Sequence, residues 1–153
     1  YNPLDVIKID APNELYATVI HPQIEIKTAD ARSVLRQKVT LKETVIQLGN
    51  LGGLIAGLYT NDYDLIGRSL HDEIVEPSRS ILIPEFDNVL KAAKEAGALG
   101  GGISGSGPSM FALSKGKEAA DKVALAMANA YKNLQIDFDI HVSKVNANGI
   151  KIL

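Results

Sequence analysis

The residues with the clearest capacity for chemistry form one run, Gly100-Gly101-Gly102-Ile103-Ser104-Gly105-Ser106-Gly107-Pro108. Five of the first eight are glycine and two are serine. Gly100, Gly101, Gly102, Gly105 and Gly107 remove side chains and permit positive φ, so successive N–H groups can turn toward one centre. Ser104 and Ser106 add hydroxyls on the same arc, and Pro108 stiffens the exit. This composition predicts a backbone-lined turn that faces a ligand. The plain alternative is a glycine-rich helix-to-strand connection, and the density of glycine and serine weighs against it.

Three familiar uses of such a run are excluded. Gly100, Gly102 and Gly105 spell G-x-G-x-x-G, but the dinucleotide fingerprint follows a strand and opens a helix. Here the glycines follow a helical pattern and lead through Pro108 into a strand. A Walker A loop requires Lys-Ser/Thr where Ser106 stands. A nucleophile elbow requires glycine two residues on either side of the serine, and Ser104 has Gly102 before it but Ser106 after it. His21, His71 and His141 are scattered and form no H-E-x-x-H pair, so no metal and no histidine base are assigned. Cysteine is absent, which removes disulfides and thiolate metal sites and suits a cytoplasmic protein.

The elements that must position this run follow from pattern. The 153 residues fit one compact domain. A net charge of −2 gives no electrostatic reason to expect nucleic acid or an anionic membrane as partner. The most apolar stretch, 44–59, is interrupted by Gln47 and Asn50 and falls short of the roughly 18–20 apolar residues of a membrane span. Residues 6–9, 15–20 and 24–27 read as strands. Thr28 reads as the N-cap of a short helix with Asp30 in its first turn. Thr40 and Glu43 form a capping-box pattern that opens a helix running through Leu58. Within it Gly49, Gly53 and Gly57 clear one face for the close approach of another backbone or of a ligand, tight helix packing being favoured over ligand contact. A third helix is expected over about 64–72, with Pro77 ending any continuation. Pro84 suits the first position of a fourth helix that stops at Gly97. A strand over 110–113, a helix over about 117–134 and a strand over 140–145 complete the chain. The order predicts an α+β domain, an antiparallel sheet with helices packed on one face.

The motif Gly101-Gly102-Ile103-Ser104-Gly105-Ser106-Gly107-Pro108-Ser109-Met110-Phe111-Ala112-Leu113 resembles the third conserved motif of the GHMP kinases, the galactokinase, homoserine kinase, mevalonate kinase and phosphomevalonate kinase group. Its Gly-Ile-Ser-Gly-Ser-Gly-Pro form is that typical of the homoserine kinase branch. Thr28-Ala29-Asp30-Ala31-Arg32 is similar to that branch's Thr/Ser-x-x-Ala-Arg segment. Glu76-Pro77-Ser78-Arg79-Ser80-Ile81-Leu82-Ile83-Pro84 is similar to its Glu-Pro-x-Arg-x-x-Leu-x-Pro segment. The resemblance covers almost the whole chain in register.

It implies a ferredoxin-like C-terminal domain over residues 1–153, with residues 1–27 as strands that complete or bridge to an N-terminal domain. The chain starts at Tyr1 without a signal-like segment, and the expectation is a fragment of a longer protein. The family's phosphate loop, a Pro-x-x-x-Gly-Leu-Gly-Ser-Ser-Ala-like segment, is not in this sequence, nor is its Mg2+-holding acidic residue. Both belong to the family's N-terminal domain. The implied reaction is ATP-dependent phosphorylation of the L-homoserine hydroxyl in threonine biosynthesis. ATP and Mg2+ would be held mainly by the other domain, and this chain alone is expected to lack kinase activity.

By residue match, Thr28, Arg32 and Arg79 are the implied substrate contacts, the two guanidiniums holding a carboxylate through paired hydrogen bonds. Arg32 lies one turn after Thr28, near a helix start that favours an anion. Without the resemblance, each arginine reads as a surface partner of Asp30 or Glu76. Gly102, Ser104, Gly105, Ser106 and Gly107 are expected to approach the nucleotide phosphates or brace the phosphate loop. A homodimer is compatible with all of this. Rival readings are a stand-alone amino-acid-binding or regulatory domain, and a GHMP kinase for another small alcohol.

Overall fold

The computed structural model describes residues 6–132 and 134–149. Strand β1 (Leu15–Pro22) is rich in β-branched residues and lies in the middle of a four-stranded antiparallel sheet. It pairs with β3 (Met110–Lys115) on one side and β4 (Phe138–Lys144) on the other, while β2 (Gly100–Ile103) pairs with β3 at the edge. The spatial order β2-β3-β1-β4, with helices between β1 and β2 and between β3 and β4, is the ferredoxin-like arrangement that the resemblance implies.

Side chains alternate across the sheet, and one face is dry. Ile20 stands opposite Met110 and Ile140, and Thr18 opposite Ala112 and Val142. Against this face pack α5 (Phe86–Glu95) and α6 (Lys117–Tyr131), whose Val89, Val123, Met127 and Tyr131 are fully buried. Two polar groups caught in this core are bonded, while the buried Ser114 hydroxyl has no partner among the described residues. The Thr18 hydroxyl donates to the Ala120 carbonyl at 3.2 Å, and the Tyr131 hydroxyl donates to the Pro84 carbonyl at 2.6 Å. Burial first, and the nearby Glu85 second, push the Tyr131 phenol up to about 12.

A second group of helices comes before β2. In α2 (Leu41–Thr60) the capping box forms as predicted, Thr40 and Glu43 each accepting the other's backbone N–H. Gly53 and Gly57 of α2 face α3 (Tyr63–Ser69), where a Cβ on Gly57 would sit 2.9 Å from Ile66. Gly49 meets nothing within 4 Å, so two of the three glycines serve the tight packing expected of them.

Several boundaries differ from expectation. Residues 6–9 form no strand and Val6 and Ile7 are exposed, because a β-branched run becomes a strand only where a neighbour pairs with it. Residues 24–27 are likewise unpaired. Thr28 is the first residue of α1 (Thr28–Ser33), not its cap: the chain turns helical one residue early, Lys27 takes the cap position and no side chain caps the helix. α3 ends at Ser69, and the Asp72 carboxylate then accepts the N–H groups of Ile74 and Val75 in a turn. Pro77 does not end a helix but sits in the first turn of α4 (Glu76–Arg79), where its missing N–H costs nothing. Pro84 precedes α5 by two residues, because Glu85 adopts a left-handed φ of 59°.

Candidate active site

The glycine run is not one loop. Its first part, Gly100–Ile103, is β2. A Cβ on Gly101 would strike the Phe111 carbonyl and lie 3.2 Å from Leu90 of α5. The true loop is residues 104–109, closed at its base by the Ser104 N–H donating to the Ser109 carbonyl at 2.8 Å. Inside it the Gly107 N–H donates to the Ser104 carbonyl at 3.1 Å, which makes a four-residue turn. Gly105, its first central residue, has φ of 64° and open space around a would-be Cβ. Glycine is required there by conformation rather than by room. Among the described residues, the N–H groups of Gly105 and Ser106 and the hydroxyls of Ser104 and Ser106 have no partner. They remain available to an acceptor from outside the chain.

One turn of helix ties this loop to two other segments. From α4, the Arg79 Nε donates to the Ala31 carbonyl of α1 and Nη1 donates to the Gly105 carbonyl, both at 3.1 Å. Two of the five guanidinium donors are thus engaged, and three remain. Neither Arg79 nor Arg32 has a carboxylate within 4.0 Å among the described residues, so the expected alternative pairings with Asp30 and Glu76 do not form. An unpaired guanidinium beside free N–H groups suits an anionic ligand.

At the start of α4, Glu76 is half-buried and its Oε2 accepts the Ile103 N–H at 3.3 Å. Burial raises its carboxyl above the ordinary range, with Asp72 and Asp87 adding to the rise and the Ile103 N–H and His71 opposing it. A cavity of about 240 Å3 opens here, lined among others by Gln47, Asn50, Glu76, Arg79, Gly102 and Gly105. Thr28, Arg32, Ser104, Ser106 and Gly107 do not line it; Thr28 and Arg32 lie exposed on α1, and Gly107 packs on Ile83. The structure therefore brings Arg79, Gly102 and Gly105 together around one space, and links Arg32 to it only through the neighbouring Ala31 carbonyl.

The sequence offered Glu76 only as a surface partner for an arginine and left Asn50 unassigned. The Asn50 amide donates to the His71 carbonyl at 2.9 Å and holds the cavity wall. The available signal for Glu76 was its place three residues before Arg79, with Pro77 starting a helix between them. His21 also went unread: its Nδ1 lies 2.8 Å from the Ser109 hydroxyl at the loop exit. Among the described residues no group of three His, Cys, Asp or Glu side chains could hold a metal ion. The free loop N–H groups fit phosphate oxygens. No helix among the described residues is long and apolar enough to cross a membrane.

The profile of the GHMP kinase C-terminal family matches residues 54–133, and the chain belongs to the GHMP kinase family. Within that family it is similar to homoserine kinases. One from Chlorobium phaeobacteroides is 51% identical over 155 residues, covering 100% of this chain and 48% of that protein. The crystal structure of homoserine kinase from Cytophaga hutchinsonii matches with a TM-score of 0.93 and 56% identity, covering 96% of this chain and 47% of that one. The fold extends to Streptococcus pneumoniae phosphomevalonate kinase, at a TM-score of 0.69 and 12% identity over 92% of this chain and 43% of that one. The chain spans about half the length of the relatives it matches.

Proposed function

We propose that this chain is the C-terminal domain of a homoserine kinase, which transfers the γ-phosphoryl group of ATP to the side-chain hydroxyl of L-homoserine in threonine biosynthesis, in the cytoplasm. The observation that carries the reading is the Arg79 guanidinium, bonded at once to Ala31 and Gly105 and left without a carboxylate among the described residues. It joins the three segments whose sequences resemble that branch, and identities above 50% to homoserine kinases support the same substrate.

In this reading Arg79 and Arg32 hold the substrate carboxylate, and Thr28 makes a lesser contact. The loop from Gly102 to Gly107 approaches the phosphates, or braces the phosphate loop of the other domain, through the free N–H groups and hydroxyls. ATP supplies the phosphoryl group, and Mg2+ would neutralise its charge from the N-terminal half. Phosphoryl transfer depends mainly on positioning and charge stabilisation, which is what a clamp and a braced loop contribute.

The test is a coupled ATP-turnover assay of the full-length protein with homoserine, mevalonate and galactose. Turnover is expected with homoserine alone. Preference for another alcohol would move the protein to a different branch of the family, and turnover with none would overturn the kinase reading.

A further inference from the structure

We infer that Glu76 is a positioning residue for the glycine loop: its carboxylate grips β2 at the loop entrance, so that α4 fixes the loop at two points and registers it against α1. The inference rests on the kinase reading for its consequence in catalysis, but not for its geometry.

Three observations carry it. First, Glu76 Oε2 accepts the N–H of Ile103, the last residue of β2 before the turn. Second, a Cβ on Gly102 would lie 2.5 Å from that same oxygen, so the carboxylate is seated directly on the glycine backbone. Gly102 pairs with Phe111, on the face of the sheet away from α5 and α6, and Glu76 reaches it there. Third, Glu76 has no cation within 4.0 Å among the described residues, although it is half-buried. A desolvated carboxylate without a cation is unfavourable, and apolar residues would fill that position at less cost.

The loop needs such a tether. Glycines lose more conformational freedom on ordering than any other residue, and Gly105 and Gly107 have no side chains with which to anchor themselves. Arg79, at the other end of the same helical turn, holds the Gly105 carbonyl. With Pro77 stiffening the turn between them, the two anchors act as one rigid strap. Release of either end would let the free N–H groups of Gly105 and Ser106 drift from their target. A displacement of about 1 Å can cost on the order of a hundredfold in rate.

The experiment uses the full-length protein with Glu76→Ala, Glu76→Gln and Gly102→Ala, each read by hydrogen exchange of the bonded N–H groups of Ile103, Ser104 and Gly107 and by steady-state kinetics. Glu76→Ala is expected to speed exchange in this segment at least tenfold and to lower kcat about 10- to 100-fold, with homoserine KM changed less than about threefold. Glu76→Gln keeps an acceptor oxygen and should restore both to within about threefold of the parent. Gly102→Ala should mimic Glu76→Ala, and the double variant should be no worse than the poorer single. Unchanged exchange in Glu76→Ala overturns the inference, as does a rise in homoserine KM with kcat preserved, which would make Glu76 a substrate contact. Should Glu76→Ala fail to fold, Gly102→Ala against Glu76→Gln decides by the same exchange readout. If the parent protein does not phosphorylate homoserine, the kinase reading fails, while hydrogen exchange still judges the tether.

Discussion

The dry face of the sheet and the α4–loop region hold themselves together by different physics. Against α5 and α6, cohesion comes from Ile20, Met110, Val123 and Met127, all fully buried and non-directional in their contacts. Around α4, cohesion comes from individual directional bonds: Ile103 to Glu76, and Arg79 to Ala31 and Gly105. The first region can lose a methylene and keep its shape. The second depends on bonds whose removal leaves polar groups unpaired and a glycine turn unanchored. Stability and substrate handling should therefore separate by region when each is perturbed.

The largest effect is expected from the dry face. Met127→Ala removes a fully buried α6 side chain from the core that the sheet shares with α5 and α6, and should cost about 2–5 kcal/mol of stability. Urea unfolding would measure the loss, and the KM for homoserine of the folded fraction should stay unchanged. A shifted KM would break the contrast between the two regions. Next comes Gly105→Val in the loop. A β-branched residue at φ of 64° is strained by about 1–2 kcal/mol, but open space around that Cβ spares the core. Kinase turnover should fall at least about a hundredfold, with the unfolding midpoint lowered by no more than this local strain, since the loop geometry rather than the core is altered. Retained turnover would show that the loop faces no phosphate.

The two regions were also unequally legible in the sequence. The dry face was readable, because alternation in β1 and the periodic Ala120, Val123 and Met127 of α6 are local consequences of burial. The Thr40–Glu43 capping box was readable for the same reason, being complete within four residues. The strand β2 was not. Gly100-Gly101-Gly102 has no β propensity, and it becomes a strand through pairing with β3 and the crowding of Leu90, Phe111 and Glu76. The short α4 was hidden behind Pro77, which signals either a stop or a start, and only tertiary contacts decide between them. Glu76 was invisible as a brace because its partner, the Ile103 N–H, lies 27 residues away and is a backbone group common to every residue. The assignments of Arg32, Arg79 and Thr28 came from resemblance, and the structure adds the unpaired guanidinium of Arg79 and its two carbonyl anchors.

Those anchors distinguish the two arginines. Arg79→Ala would release the Ala31 and Gly105 carbonyls as well as any carboxylate, so homoserine KM should rise about 10- to 100-fold and kcat should fall too. Arg32 is exposed on α1, and no side-chain bond to it is found among the described residues. Its removal should raise KM by about tenfold while leaving kcat nearly intact. Arg79→Lys should behave like Arg79→Ala, since an ammonium lacks the planar fork that reaches two carbonyls at once. Equal kinetic profiles for Arg32→Ala and Arg79→Ala would mean that the strap does not register the loop.

The smallest effects concern two glutamates shifted in opposite directions. The backbone N–H of Thr40, then Arg36 and the Thr40 hydroxyl, hold the Glu43 carboxyl down to about 2. Its contribution is fully present above the ordinary value of 4.5 and is lost as pH falls through about 2. Burial pushes Glu76 the other way. Between 4.5 and its raised value the folded state binds the proton more readily than the unfolded chain, so stability from this group increases as pH falls through that window. Above the raised value the charged carboxylate is a standing cost to the fold. Glu76→Gln, which cannot ionise, should therefore be at least as stable as the parent near pH 7, with the difference vanishing by about pH 4.5. Glu43→Gln, which cannot ionise, should destabilise at pH 7 and by progressively less toward pH 2, the opposite trend with a similar readout. Urea midpoints for parent, Glu76→Gln and Glu43→Gln across pH 2–7 would resolve the two slopes. Parallel slopes would mean that Glu76 is solvated like a surface carboxylate and that nothing in the loop region bears on its proton.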